Sequence, residues 1–273
     1  MISSVNETAV AENQAAIWFL GSASFVLKLN GKIIYLDPYF SNWCEEISQG
    51  GPVVFKRLHP PVLQPESVTN ADIILVSHDH EDHLDKKSFP SMMLSSPHAQ
   101  AVLPHRCKRI AESWGVRSDA MHALDDGETI EFDGVQIEAV KSAHTSFEQA
   151  DGGQRFLGYL IRGNGITIYF AGDSVVYDGM AERLLEAKVD IALLPIVGRD
   201  YFRTKLGIVG NMDYREAAEL SVAIRAPMLI PYHYDAFTCH NENPGYLIDY
   251  LARYHPSQPC HVMARGEKLI WSR

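Results

Sequence analysis

His78-Asp79-His80-Glu81-Asp82-His83 packs three imidazoles and interleaved carboxylates into six residues, directly after the apolar run Ile73-Ile74-Leu75-Val76. That run is short, β-branched and followed by polar residues, so it reads as a buried strand. A strand ending in His-x-His-x-Asp-His delivers its ligands from a strand-to-loop corner, where the chain can fold round a cation. Imidazole nitrogen and carboxylate oxygen suit Zn²⁺, Fe²⁺ or Mn²⁺, and neutral imidazole is available near pH 7. The plain alternative is a solvated polar loop; three of the chain's twelve histidines within six residues argue against it.

One cluster does not enclose a pair of metal ions, so further ligands are expected at other strand ends. His144 follows the strand-like segment 135–140. Asp173 follows Ile168-Tyr169-Phe170-Ala171-Gly172, and His233 follows Leu229-Ile230-Pro231-Tyr232. Each has an ordinary reading: a surface histidine for His144, a helix N-cap for Asp173, a satisfied core histidine for His233. Their shared position after apolar strands favours ligation. The remaining histidines read as unremarkable, with His240 the exception because it lies in the loop after His233.

The bulk properties narrow the class. The chain has 273 residues, 46% of them hydrophobic, which is enough for a sizeable core. Twenty-four basic against thirty-four acidic residues give a net charge of −10, so no global field gathers nucleic acid or anionic lipid. The four cysteines are scattered without a C-x-x-C pair, which fits reduced thiols. Residues 1–14 are polar with no basic start, and the apolar piece 15–20 is too short for a signal or membrane segment. The expectation is a soluble cytoplasmic protein, assembled as a homo-oligomer like many compact enzymes.

Along the chain, residues 1–15 read as a loose tail and 16–273 as one domain. Asn30-Gly31 and Asp133-Gly134 are two-residue hairpin turns, and Gly163-Asn164-Gly165 joins a third strand pair. Residues 41–70, rich in Gly and Pro, read as a long surface loop of the kind that forms lids or pocket walls. In the second half, helices at 180–187, 213–225 and 246–254 alternate with strands at 191–196 and 228–232, before a final hairpin at 261–271. Asp213-x-x-Glu216 is a capping box. Hairpin-rich sheet with interspersed helices points to an α+β domain of two sheets covered by helices.

The set His78-x-His80-x-Asp82-His83, His144, Asp173 and His233 resembles the ligand order of the metallo-β-lactamase fold from end to end. Trp18-Phe19-Leu20-Gly21, Leu36-Asp37-Pro38, Ala171-Gly172-Asp173-Ser174, Gly210-Asn211-Met212 and Ile230-Pro231-Tyr232-His233-Tyr234-Asp235 are similar to its L-ascorbate-6-phosphate lactonase branch. The resemblance implies a four-layer αββα sandwich with two divalent ions, Mn²⁺ or Zn²⁺ with Fe²⁺ open, at the sheet edge. It also implies that His78, His80 and His144 hold one ion, that Asp82, His83 and His233 hold the other, and that Asp173 bridges them.

Such a pair would acidify a shared water, which needs no serine or cysteine nucleophile; no G-x-S-x-G elbow is present. The implied reaction is hydrolysis of a small anionic ester or lactone, with a phosphorylated sugar lactone as leading substrate and a small or cyclic phosphodiester as alternative. Asp82 and Asp173 are the candidate catalytic residues, Asp82 for proton transfer to the leaving oxygen. Arg199, Arg203 and Lys205 form a candidate anion clamp, with a solvated loop as the plain reading. Asn211, Tyr234 and Asp235 are candidate substrate contacts, and Trp43, Tyr201 and Phe202 a candidate apolar wall. Asp79 and Glu81 are expected to face outward or to accept ligand N–H bonds. Asp85 is expected either to orient a ligand or to start a helix. A non-catalytic scaffold would be favoured by a missing ligand, and none is missing.

Overall fold

The computed structural model describes residues 1–273. The first half supplies strands β1 (Gln14–Gly21), β2 (Ser24–Leu29), β3 (Lys32–Leu36), β4 (Ile73–Leu75), β5 (Gln100–Pro104) and β6 (Met121–Leu124). The second supplies β7 (Thr129–Phe132), β8 (Val135–Lys141), the short pair β9 (Gln149–Ala150) and β10 (Gly153–Gln154), β11 (Leu157–Gly163), β12 (Ile166–Phe170), β13 (Ile191–Pro195), β14 (Met228–Tyr232) and β15 (Lys268–Ser272). One sheet runs β15-β1-β2-β3-β4-β5-β6 and the other β14-β13-β12-β11-β8-β7. The helices are α1 (Ile2–Glu7), α2 (Trp43–Ser48), α3 (Ser88–Ser95), α4 (His105–Ser113), α5 (Met180–Glu186), α6 (Tyr201–Lys205), α7 (Tyr214–Ala223) and α8 (Gly245–Tyr254).

The layers follow from alternation along the strands. In β1, Ala15, Ile17 and Phe19 enter the core between the two sheets, while Ala16, Trp18 and Leu20 enter a second core beneath α1, α3 and α4. Strands β2, β3 and β4 divide in the same way, because successive side chains leave a strand on opposite faces. Helices α5, α7 and α8 bring Leu184, Leu220 and Leu251 to the other sheet. The result is the four-layer αββα sandwich expected. Pro231 sits in β14, an edge strand, where its missing N–H costs no ladder bond.

Three local expectations are corrected. The first fifteen residues are not loose: α1 buries Val5, and Lys28 Nζ donates to Val5 O and Asn6 O at 2.8 and 2.9 Å. The 41–70 loop contains α2. The C-terminus makes no hairpin; β15 instead pairs antiparallel with β1 and closes the edge that β1 would otherwise expose. The three hairpins and the capping box at Asp213 form as read.

Topology sets where the site lies. Strands β3 and β4 are parallel, and β8 and β12 both run antiparallel to β11, while β12, β13 and β14 are parallel. Each sheet therefore presents several carboxyl ends at one edge. Leu157 N donates to Ser77 O at 2.9 Å and Tyr159 Oη to Val76 O at 2.7 Å, tying the two edges together.

Phe25, fully buried, lies beside Phe19 with ring centroids 5.1 Å apart and meets Tyr232 of the opposite sheet edge-on at 5.7 Å. Phe25→Ala is expected to lower unfolding free energy by about 3–5 kcal/mol, measured by denaturant titration, because the cavity spans both sheets.

Candidate metal centre

Seven side chains from four strand ends converge. His78, His80, Asp82 and His83 come from the loop after β4, His144 from after β8, Asp173 from after β12, and His233 from the residue after β14. Donor atoms of His78, His80 and His144 lie within 4.8 Å of one another, as do those of Asp82, His83 and His233. Asp173 lies between the two triads. Its Oδ1 is 3.4 Å from His83 Nε2, and its Oδ2 is 3.3 Å from His144 Nε2 and 3.5 Å from His233 Nε2.

Two backbone devices make this convergence possible. Gly172 has φ +59°, and a Cβ there would stand 2.7 Å from Leu157 O and 2.8 Å from Ser77 Cβ, so only glycine lets Asp173 approach the His78 loop. His233 adopts φ +58°, a conformation costing a non-glycine residue on the order of 1–2 kcal/mol. It is held by His233 N donating to Ser22 O at 2.9 Å.

Asp37 orients the ligands. Fully buried, it accepts from Ser77 N at 2.7 Å and Ser77 Oγ at 2.5 Å, and from His83 Nδ1 at 2.6 Å. Because Ser77 Oγ donates to Asp37, it accepts from His78 Nδ1 at 2.9 Å. Both imidazoles are thereby fixed with Nε2 facing the cluster. His144 Nδ1 donates to Gly210 O at 3.1 Å, with the same consequence. A carboxylate or carbonyl behind a ligating histidine fixes tautomer and ring orientation. The sequence reading does not single out Asp37 as a functional residue, although a signal exists: it too is the first ligand-type residue after an apolar strand.

The donors fit divalent cations. His78 Nε2 stands 3.0 Å from His80 Nδ1, and His83 Nε2 stands 3.3 Å from His233 Nε2. These are pairs of imidazole nitrogens crowded edge to edge, with Asp173 Oδ1 buried and lacking a hydrogen-bond partner. Nitrogen and carboxylate oxygen without thiolate suit Zn²⁺, Mn²⁺ or Fe²⁺.

Electrostatics agree. Burial, with His83 and the other histidines, holds His78 well below the usual imidazole value, and burial with His144 takes His80 down to about 4. Burial alone would raise Asp82, but His83 and His233 outweigh it and keep the carboxylate ionised. Burial would likewise lower His83 and His233, yet Asp173 and Asp82 outweigh it and raise both. The carboxylates thus draw positive charge into the second triad, and a cation supplies that charge while leaving the imidazoles neutral to ligate it.

Other expected site residues lie elsewhere. The centre floors a cavity of about 320 Å³ walled by Cys44, Ile47 and Phe55 of the 41–70 segment and by Ile208, Val209, Phe237 and His240. The anion clamp is not at this cavity. Arg199 is engaged twice by Glu216, at 2.6 and 2.7 Å; Arg203 pairs with Asp200 and donates to Val197 O; Lys205 lies over the Tyr201 ring. Tyr234 is buried and donates to Met263 O at 3.0 Å. Asp235 accepts from Ser22 N at 2.9 Å and pairs with Arg265, fixing the turn that carries His233. Asn211 is fully buried without lining the cavity.

Among the aromatics, Tyr201 and Phe202 are exposed on α6, and Trp43 lies under Lys86 and Lys87, so none walls the cavity. Asp79 neither faces outward nor touches a ligand. It pairs with Arg106 at 2.5 Å and Arg155 at 2.7 Å, anchoring the ligand loop to α4 and to the segment before β11. Glu81 is exposed at the cavity rim. Asp85 accepts from Ser88 Oγ at 2.5 Å, Ser41 Oγ at 2.8 Å and Lys87 N at 2.9 Å, so it braces the turn that leads into α3 and bonds to none of the seven converging side chains.

Replacing Asp37 by Asn should leave the fold in place and weaken metal retention about 10–100-fold, because one oxygen acceptor behind His83 is lost. Chelator competition followed by metal analysis measures this; retention equal to wild type would show that Asp37 does not support the ligands.

The family described as beta-lactamase superfamily domain matches residues 32–234. A UPF0173 metal-dependent hydrolase from Nitratidesulfovibrio vulgaris is 26% identical over 263 residues, covering 95% of this chain and 97% of the relative. A probable L-ascorbate-6-phosphate lactonase from Escherichia fergusonii is 23% identical, covering 88% and 75%. Among solved structures, a metallo hydrolase from the archaeon Ignicoccus hospitalis superposes with a TM-score of 0.72 at 19% identity, covering 95% of this chain and 99% of that one. The chain belongs to the beta-lactamase superfamily domain family and is a metal-dependent hydrolase of the metallo-β-lactamase fold.

Proposed function

We propose that the enzyme hydrolyses small esters or lactones whose body is uncharged. The observation that carries this reading is the cavity itself: nitrogen and oxygen donors at its floor, walls that are apolar apart from Ser48, His240 and the rim residue Glu81, and no lysine or arginine lining it. The only thiol there, Cys44, is pushed far above its ordinary pKa by burial and by Asp82, which removes it as a nucleophile.

Two divalent ions held by the triads would supply an acidified water and a sink for negative charge on the substrate oxygen. His78, His80 and His144 would hold one, Asp82, His83 and His233 the other, with Asp173 between them. The chain's own residues do the rest. Ile208, Val209 and Phe237 seat the substrate body and exclude bulk water from the carbonyl. The water oxygen adds to the carbonyl carbon and the bond to the leaving oxygen breaks. Asp82, which faces the cavity and is ionised, carries the released proton to that leaving oxygen. The relatives named as phosphorylated-lactone enzymes place such substrates in the same panel, but no side-chain cation of this cavity awaits a phosphate. The same water can attack phosphorus, so phosphodiesters form the other arm of the assay.

Metal-stripped protein should be inactive and regain turnover with Mn²⁺, Zn²⁺ or Fe²⁺. Across γ-butyrolactone, p-nitrophenyl acetate, ascorbate 6-phosphate and bis-p-nitrophenyl phosphate, the neutral carbonyl substrates should lead in kcat/KM by about tenfold or more, roughly the 1.4 kcal/mol that one unpaired charged contact costs. Preference for ascorbate 6-phosphate or for the phosphodiester would reject this reading.

A further inference from the structure

His240 is buried, lines the cavity beside His233 with ring centroids 5.9 Å apart, and belongs to neither triad. Its backbone is pinned in the turn 237–240, where Phe237 and His240 exchange N–H···O bonds at 3.3 and 3.2 Å. Its Nδ1 meets Arg203 Nη1 at 3.1 Å, and Arg203 is itself fixed by Val197 O at 2.9 Å and by Asp200. No protein group engages Nε2.

A guanidinium only donates, so Nδ1 must accept, and a neutral imidazole accepting at Nδ1 carries its proton on Nε2. Protonating Nδ1 would set two donors face to face. The contact with the Arg203 guanidinium therefore holds this imidazole neutral. The same logic excludes two other roles. Ligation through Nε2 would require the proton on Nδ1, against Arg203. Action as a base would require a lone pair that Nε2 does not have.

We propose that His240 is a substrate-contacting residue: Arg203 locks it as the Nε2–H tautomer, and this neutral donor holds the carbonyl oxygen as negative charge grows on it. The role deepens the ester and lactone reading and rests on it. It also gives Arg203 a purpose other than clamping an anion, since its charge reaches the substrate only through the imidazole it orients. A neutral donor in a half-apolar cavity favours an acceptor that is uncharged in the ground state and gains charge during reaction, which describes an ester or lactone carbonyl.

Long-range ¹H–¹⁵N spectra of the Zn²⁺-loaded wild type should show His240 protonated at Nε2 alone, with that proton shifting when 4-hydroxybutanoate, the ring-opened product of γ-butyrolactone, is added. His240→Phe should lower kcat for γ-butyrolactone by about 10²-fold, the usual cost of one oxyanion donor, while metal content stays at the wild-type value. His240→Gln keeps an amide donor and should recover about tenfold of that loss. Arg203→Met should leave metal content unchanged and release the tautomer, read in the same spectra. A proton on Nδ1, metal lost from His240→Phe, or kcat within threefold of wild type would each overturn the proposal. If the wild type opens no ester or lactone, the functional reading fails, and the spectra still decide the tautomer and the contact with bound carboxylate.

Discussion

One buried carboxylate, Asp37, holds the centre in register. It takes three hydrogen bonds, two from Ser77 and one from His83, in a place with no access to water. An unpaired buried carboxylate costs several kcal/mol, so these donors are as necessary to Asp37 as Asp37 is to them. Through Ser77 Oγ its influence extends to His78, and through His83 to the second triad. Two of the ligand histidines therefore have their tautomers set by a single residue that lies 40 positions before Ser77 in the chain.

The rest of the sandwich can be understood as support for that register. Parallel pairing of β3 with β4 places Asp37 beside Ser77, and Asp37 N donating to Leu75 O at 2.9 Å completes the contact. The other sheet brings Asp173 and His233 on parallel strands, with Gly172 thin enough to admit the first and a left-handed backbone at the second. Asp79 and Asp235 lie next to ligands in the chain and are used for anchorage. One ties the ligand loop to two arginines, the other braces the turn against Ser22 and Arg265. These two carboxylates, each within two residues of a histidine of the centre, are thus consumed in holding its loops.

The cavity's character follows from the same use of charge. Arg199 and Arg203 are near in sequence to the wall residues Ile208 and Val209, yet their guanidinium groups are satisfied by Glu216, Asp200 and backbone carbonyls. What reaches the metal floor from this loop is apolar surface. Under the proposed reaction, selectivity would rest on shape and on the few polar atoms left facing inward, His240 among them.

The layered fold, the hairpins, the capping box at Asp213 and the strand-end positions of the seven converging side chains were legible in the sequence, because each depends on local information. Alternation marks strands, Asn-Gly and Asp-Gly mark tight turns, and ligand-type side chains recur just past strand ends. Pairing of β15 with β1, docking of α1, and the partners of Arg199, Arg203, Asp235 and Asp79 were not legible. Most are settled by groups far away in the chain, such as Trp271 beside Ala15 or Ser22 beside Asp235. A side chain's identity states which interactions it is able to make; only the closed sandwich decides which partner reaches it first and therefore which face, cavity or core, its charge is turned toward.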